Sequence, residues 1–257
     1  MNEKKVLQIA LIIIFSVIFL IAAVACVDLF ISGWFNSDKY KTESETPNQT
    51  VSDVVSQENL PDNPIDFVAL TQQNPDAYAW ITIPGTKVDY PILQAYFEDD
   101  NFYLTHDINK QKNRAGAIYT QRINQKNFVD PNTVIYGHNM ANGTMFRTLH
   151  QFKKKDFFDE NRYFYIYTPG NKYTYEIFAA YRYDNRHILN SFDFSDEQVF
   201  EEYLNSISSY TVDANFRSGV QLDRDSRIVT LSTCYANSKK EYRYLVQGVL
   251  IEHEKTK

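Results

Sequence analysis

Three residues whose side chains could act together in nucleophilic catalysis lie at the ends of strand-like segments. Cys234 ends a run of β-branched residues and is the only cysteine outside the N-terminal apolar segment. His138 follows the strand-like residues 133–136, and Arg243 lies in a further run, residues 242–251. A cysteine attacks as its thiolate, a histidine can move the proton, and a guanidinium can stabilise an oxyanion. These three side chains form the candidate catalytic constellation.

Short β-branched and aromatic runs predict the strands that would position these groups. The run that ends at Cys234 is typical of a buried strand, so its thiol should lie where the strand leaves the sheet. Only a short connection separates it from the run that contains Arg243, which predicts an antiparallel pair. Alternation along that second strand would place Arg243 on the same face as Leu245 and Gln247.

The motifs around these residues resemble those of sortases, the cysteine transpeptidases of Gram-positive cell surfaces, and most closely class B. They comprise Thr-Leu-Ser-Thr-Cys ending at Cys234, Tyr-Gly-His-Asn-Met around His138, the later Arg243, and Trp-Ile-x-Ile-Pro-Gly-Thr-x-Val-Asp-Tyr-Pro in residues 80–91. The resemblance extends from near Asn63 to the C-terminus. It implies a mainly β fold, an eight-stranded β-barrel with peripheral helices.

The same resemblance implies the reaction and the clients. Cys234 would attack the Thr carbonyl in a C-terminal sorting signal of a secreted protein, and an amine from a peptidoglycan precursor would resolve the thioacyl enzyme. Ser232 and Thr233 are predicted to supply donors near the scissile carbonyl, and Leu104 to line the sorting-motif pocket. Sortases often carry an acidic residue directly after the cysteine, whereas this chain has Tyr235. No cofactor is expected, because the thioester conserves the bond energy.

Composition excludes some other classes of function. The chain has 257 residues and a formal net charge of −6, so it lacks the basic footprint of a nucleic-acid-binding protein. None of its histidines is spaced from cysteines or carboxylates like a zinc ligand, and we predict no metal site. Its 19 Tyr and 18 Phe are typical of a β-rich core.

The N-terminus predicts attachment to a membrane. Residues 9–27 are apolar and uncharged, long enough to span a bilayer as a helix, and Lys4 and Lys5 before them favour a cytoplasmic N-terminus. We therefore expect a cytoplasmic tip and single-pass anchor at 1–32, a polar linker at 33–63, and an extracellular catalytic domain at 64–257. A cleaved signal peptide and lipidation at Cys26 are the alternatives. An unpaired cysteine outside the cell is itself a mark of reactivity.

Three other functions are open at this point. A pilus-building sortase would use a pilin lysine as the amine, and a cell-wall cysteine peptidase would use water. A non-catalytic surface binding module would hold Cys234 as a structural residue, inert to mild alkylation. Product analysis with and without an added amine separates the enzymatic cases.

Local patterns also predict two helices. Pro64 in a first turn and apolar residues through Leu70 indicate a short helix that ends before Asn74-Pro75. A capping-box pattern at residues 195–198 and helical spacing of apolar residues through Ile207 indicate a second one, before the cysteine strand.

Overall fold

The computed structural model describes residues 59–235 and 241–257. The predicted membrane anchor, residues 1–32, and most of the predicted linker, residues 33–58, lie outside these described residues. Within the described part, none of the helices combines the length and apolar character that crossing a membrane requires. The end of the linker contacts the folded domain, because Asn63 Nδ2 donates to the Thr168 carbonyl and to the Thr256 hydroxyl, each at 3.0 Å.

Eight strands close into a barrel. The strands of the described residues are β1 (Ala77–Thr82), β2 (Asp89–Leu93), β3 (Ile118–Tyr119), β4 (Asn132–Tyr136), β5 (Tyr163–Thr168), β6 (Asn171–Asp184), β7 (Asn215–Phe216), β8 (Ile228–Cys234) and β9 (Tyr242–Lys255). Their order is β5-β1-β2-β3-β4-β8-β9-β6, and β6 pairs back onto β5 while β7 adds to β6. The predicted eight-stranded barrel is confirmed.

Short helices surround the barrel. They are α1 (Phe67–Gln73), α2 (Lys155–Glu160), α3 (Ile188–Ser191) and α4 (Glu197–Ser206), with 3-10 turns at Phe102–Leu104, Phe146–Lys153 and Ile207–Ser209. The predicted start of α1 at Pro64 is wrong: Asp66 is the N-cap, and its carboxylate accepts a hydrogen bond from Ala69 N. In α4 the cap is Asp196, one residue after the Ser195 of the predicted capping box.

Strand alternation divides the apolar residues between the barrel interior and the layer beneath the helices. On β9, Tyr244 and Val246 are buried in the interior, whereas Leu245 is buried in the outer layer with Phe200 and Leu204 of α4. Each fully buried side chain of this size contributes about 1.5–3 kcal/mol. The burial fixes the register of β9, since a shift of one residue would exchange the two faces.

A buried polar network fastens α4 to the two strands that carry the site. Gln247 of β9 is fully buried, and its side-chain oxygen accepts from the Tyr181 hydroxyl at 2.8 Å. Its Nε2 donates to the Tyr203 hydroxyl of α4 at 2.9 Å and to Thr230 Oγ1 of β8 at 2.8 Å. Because buried polar groups are costly when unpaired, this network holds the helix and both strands in one arrangement.

Candidate active site

Parallel pairing of β4 with β8 brings His138 level with Cys234. Tyr136 is the register partner of Ser232, and the ladder continues with Gly137 N donating to the Ser232 carbonyl at 3.1 Å. His138 and Cys234 each lie two residues beyond that register pair. Neighbouring strands run about 4.8 Å apart, so the imidazole and the thiol emerge side by side at one edge of the barrel.

Antiparallel pairing of β8 with β9 places Arg243 directly opposite Cys234. Residues directly opposite on one face have Cβ atoms about 4.5–5.5 Å apart. Arg243 borders the cleft together with Leu245 and Cys234, as alternation along β9 predicts. All three side chains border one cleft of about 200 Å³.

The glycine before His138 is required by close packing. A Cβ at Gly137 would lie 2.5 Å from Ile118 Cδ1 and 2.7 Å from two ring carbons of Phe146. Both neighbours are fully buried and have little room to move. The chain can therefore turn from β4 to His138 against the barrel wall only with glycine at this position.

The imidazole of His138 is held by the loop that carries Leu104. Its Nε2 lies 2.7 Å from the Leu104 carbonyl oxygen, which can only accept, so Nε2 carries a hydrogen. Nδ1 is then the nitrogen left for proton exchange. Leu104 is 41% exposed and borders the cleft, where the resemblance places it.

A half-buried ion pair anchors this loop to the barrel. Lys110 Nζ lies 2.9 Å from both Asp76 and Glu98, and the Tyr103 hydroxyl donates to Asp76 at 2.7 Å. Burial opposes ionisation of Asp76, but the hydrogen bonds from Tyr103 and Lys110 outweigh it, and the pKa of Asp76 lies below its usual range. The carboxylate therefore stays charged and keeps the loop against the end of α1.

The two residues before the thiol differ in where they point. Ser232 is buried at the cleft and shares the face of Cys234. Thr233 also borders the cleft, but alternation turns its side chain inward with its partner Tyr244. Its hydroxyl is buried and has no hydrogen-bond partner among the described residues.

Tyr235, directly after the thiol, brings a carboxylate near the site from another part of the chain. The Tyr235 hydroxyl donates to Asp213, and Lys153 Nζ lies 2.9 Å from the same carboxylate and 3.9 Å from the centre of the Tyr235 ring. Burial opposes ionisation of Asp213, but these two partners outweigh it, so the pKa of Asp213 is lowered. Sortases often have an acidic residue directly after the cysteine; here that residue is Tyr235, which bonds to the carboxylate of Asp213.

Two side chains outside the cleft hold the main chain of the nucleophile. Asn139 Nδ2 donates to the Cys234 carbonyl at 2.9 Å, and His150 Nε2 lies 3.1 Å from the same oxygen. Arg147 Nη1 donates to Asn139 Oδ1 at 3.0 Å, which fixes the orientation of that amide. Burial, followed by the charge of Lys153, lowers the pKa of His150 to about 4. His150 is therefore a neutral ring at physiological pH.

The wall of the cleft across from β9 is polar and was not predicted from the sequence. His187 caps α3 by accepting from Asn190 N, so its Nε2 carries the hydrogen that it donates to Gln121 Oε1 at 2.7 Å. Asn101 and Tyr119 also border the cleft. These residues come from three segments of the chain, around Asn101, residues 119–121 and His187, which only the closed barrel brings together.

Comparison with known proteins agrees with this geometry. The Sortase domain family matches residues 81–251. Sortase B of Listeria monocytogenes is 37% identical over 185 residues, 71% of this chain and 72% of that protein, and sortase B of Staphylococcus aureus is 29% identical over 187 residues, 72% and 75%. The structure of Clostridium perfringens sortase B superposes with a TM-score of 0.65 at 36% identity, covering 72% of this chain and all of that one. The chain therefore belongs to the sortase family of cysteine transpeptidases, and its relatives place it with class B.

Proposed function

We propose that this protein cleaves a C-terminal sorting signal of secreted proteins after Thr, forms a thioacyl enzyme at Cys234 and transfers the protein to a cell-wall amine. The observation that carries the proposal is the row of thiol, imidazole and guanidinium at the ends of three adjacent strands, all bordering one cleft. Sortase membership supports the reaction class. The sorting signal and the amine are parts of the proposal.

In the first half-reaction, the Cys234 thiol passes its proton to His138, and the thiolate attacks the carbonyl carbon of the Thr residue. The π electrons of the carbonyl move onto its oxygen. Arg243 lies directly opposite and supplies N–H donors to that oxyanion. When the oxyanion collapses, the C–N bond breaks and His138 gives a proton to the leaving amine. The carbonyl carbon remains bonded to sulfur as a thioester.

In the second half-reaction, an amine attacks the thioester carbonyl and His138 takes its proton. The C–S bond then breaks and returns the sulfur to its starting state, so the new amide replaces the old one without any cofactor. The Nε2–H bond to the Leu104 carbonyl keeps the ring in one orientation, which suits a residue that must give and take a proton in turn.

The proposal includes a location. The catalytic domain would lie on the outer side of the cell membrane, anchored by the apolar segment at 9–27. There it would meet secreted clients and the amine of a peptidoglycan precursor.

The test is a screen of the full chain against fluorogenic peptides with Thr-Gly or Thr-Asn junctions, followed by mass spectrometry of the acyl adduct. An adduct on Cys234, and an amide product when an amine is added, would support the proposal. Hydrolysis alone in the presence of the amine would favour a peptidase. A reactive thiol that forms no adduct with any peptide would reject the sorting reaction.

Arg243→Lys should lower kcat about 10²-fold, because it keeps the charge but loses the planar set of donors aimed at the oxyanion. The guanidinium is oriented in part by Nη1, which donates to the Tyr242 carbonyl at 3.3 Å. KM should change much less than kcat. Arg162→Lys is the matched control, since Arg162 pairs with Glu176 away from the cleft. Equal kcat values for the two variants would show that Arg243 does not stabilise the oxyanion.

A further inference from the structure

The backbone hydrogen bonds between β4 and β8 end at the Ser232 carbonyl, two residues before Cys234. Gly137 N bonds to the Ser232 carbonyl, and the next carbonyl that points toward β4 belongs to Cys234. No backbone donor of β4 reaches it, and side chains take over: Asn139 Nδ2 at 2.9 Å and His150 Nε2 at 3.1 Å.

The geometry of this contact favours a hydrogen on His150 Nε2. The two nitrogens are 3.0 Å apart, so with the oxygen they form a nearly equilateral triangle. A bare ring nitrogen would repel the carbonyl oxygen, whereas two N–H groups can converge on its two lone pairs. We therefore assign the Nε2–H tautomer to His150, whose ring stacks on Tyr244 with centroids 5.0 Å apart.

We infer that Asn139 and His150 are positioning residues that set the thiol of Cys234 against His138, an inference that rests on the proposed function. Holding the carbonyl fixes the peptide plane after Cys234 and with it the direction of the Cα–Cβ bond. Asn139 is also the residue after His138, so one amide joins the loop of the acid-base group to the strand of the nucleophile. Neither positioning residue borders the cleft.

His150→Phe tests this role, because phenylalanine keeps the ring stacked on Tyr244 and removes only the N–H donor. We expect kcat to fall about tenfold with KM unchanged, since a lost hydrogen bond of ordinary strength misplaces the thiol but leaves the cleft intact. Asn139→Asp should have a similar effect, because it keeps the acceptor for Arg147 and turns a carboxylate oxygen to the Cys234 carbonyl. The double variant should lose less than the product of the two effects, since both residues hold one oxygen.

The matched control is His253→Phe. His253 also stacks on a tyrosine, Tyr173, with centroids 4.4 Å apart, and it lies at the far end of β9. His150→Gln should recover part of the lost kcat, because an amide N–H can replace the ring donor. If His150→Phe changes kcat no more than His253→Phe does, or if it only lowers thermal stability, the inference is overturned.

Acid stability gives a second readout. Burial, followed by the charges of Lys153 and Arg147, opposes protonation of the folded His150, while the bond to the Cys234 carbonyl and the charge of Asp213 favour it. The resulting pKa is about 4, against an ordinary value of 6.5. Between these values the unfolded chain binds a proton that the folded chain does not, so wild-type stability falls as pH falls from 6.5 towards 4. His150→Phe lacks this loss, so the melting temperature of the wild-type protein should fall relative to that of the variant as the pH is lowered over that range. A constant difference between the two melting temperatures would contradict the buried, neutral ring.

The rate of Cys234 alkylation by iodoacetamide, measured in a Cys26→Ala background, separates this inference from the proposed function. It needs no peptide substrate. If the wild-type protein acylates no sorting peptide but His150→Phe alters the alkylation rate, the function fails and the positioning stands. If peptides are cleaved and both alkylation and kcat match the His253→Phe control, only the positioning fails.

Discussion

Cys234→Ala should abolish formation of the acyl adduct and lower turnover of any accepted sorting peptide by at least about 10⁴-fold, because the nucleophile itself is removed. The thiol is half-buried at the cleft and ends β8, so alanine leaves the buried part of the strand unchanged. Adduct mass and initial rate measure the effect, and the melting temperature verifies that the variant is folded.

Cys26→Ala is the control for this prediction, since Cys26 is the only other cysteine and falls in the N-terminal apolar run. It should keep full activity and leave Cys234 as the single site of alkylation. Turnover by Cys234→Ala at the wild-type rate would show that the thiol takes no part in the reaction.

His138→Gln should lower kcat by about 10²–10⁴-fold, the usual contribution of an acid-base group. Glutamine is the informative replacement because its amide can still donate to the Leu104 carbonyl, the bond that His138 makes at 2.7 Å. The loop should therefore stay in place, and KM should change little. His138→Ala loses the bond as well, so its KM should rise in addition.

The pH dependence of kcat/KM distinguishes this role from a structural one. The profile should change its shape in His138→Gln and keep the wild-type shape in the control His253→Gln. A profile for His138→Gln that keeps the wild-type shape would assign the acid-base function to another group.

Local pattern was sufficient for much of the strand layout. The strands that end at Cys234 and contain Arg243 follow from residue types alone, and so does the antiparallel pair that they form, β8 and β9. The start of α1 was misplaced because proline in a first turn competes with the side-chain cap that Asp66 provides. Both signals are local, and only the hydrogen bond to Ala69 N decides between them.

The parts of the site that depend on distant pairing could not be predicted in this way. The resemblance to sortases pointed to His138, Cys234 and Arg243, but no periodicity shows that β4 lies parallel to β8. The roles of Asn139 and His150 depend on that pairing, since their partner is a main-chain oxygen far along the sequence. Every residue has a main-chain carbonyl, so the residue type of the partner gives no sign that a side chain will bond to it.

The parallel pairing of β4 with β8 also affects when during folding the enzyme becomes active. Asn139 and Cys234 are 95 positions apart, and the intervening chain must fold back before the two strands can meet. Such long-range contacts form slowly compared with hairpins. A slip of one residue would turn the sulfur into the barrel, where neither an imidazole nor a peptide can reach it. A newly synthesised molecule would thus become active only at the end of folding, and the rate at which activity appears would report the pairing of these two strands.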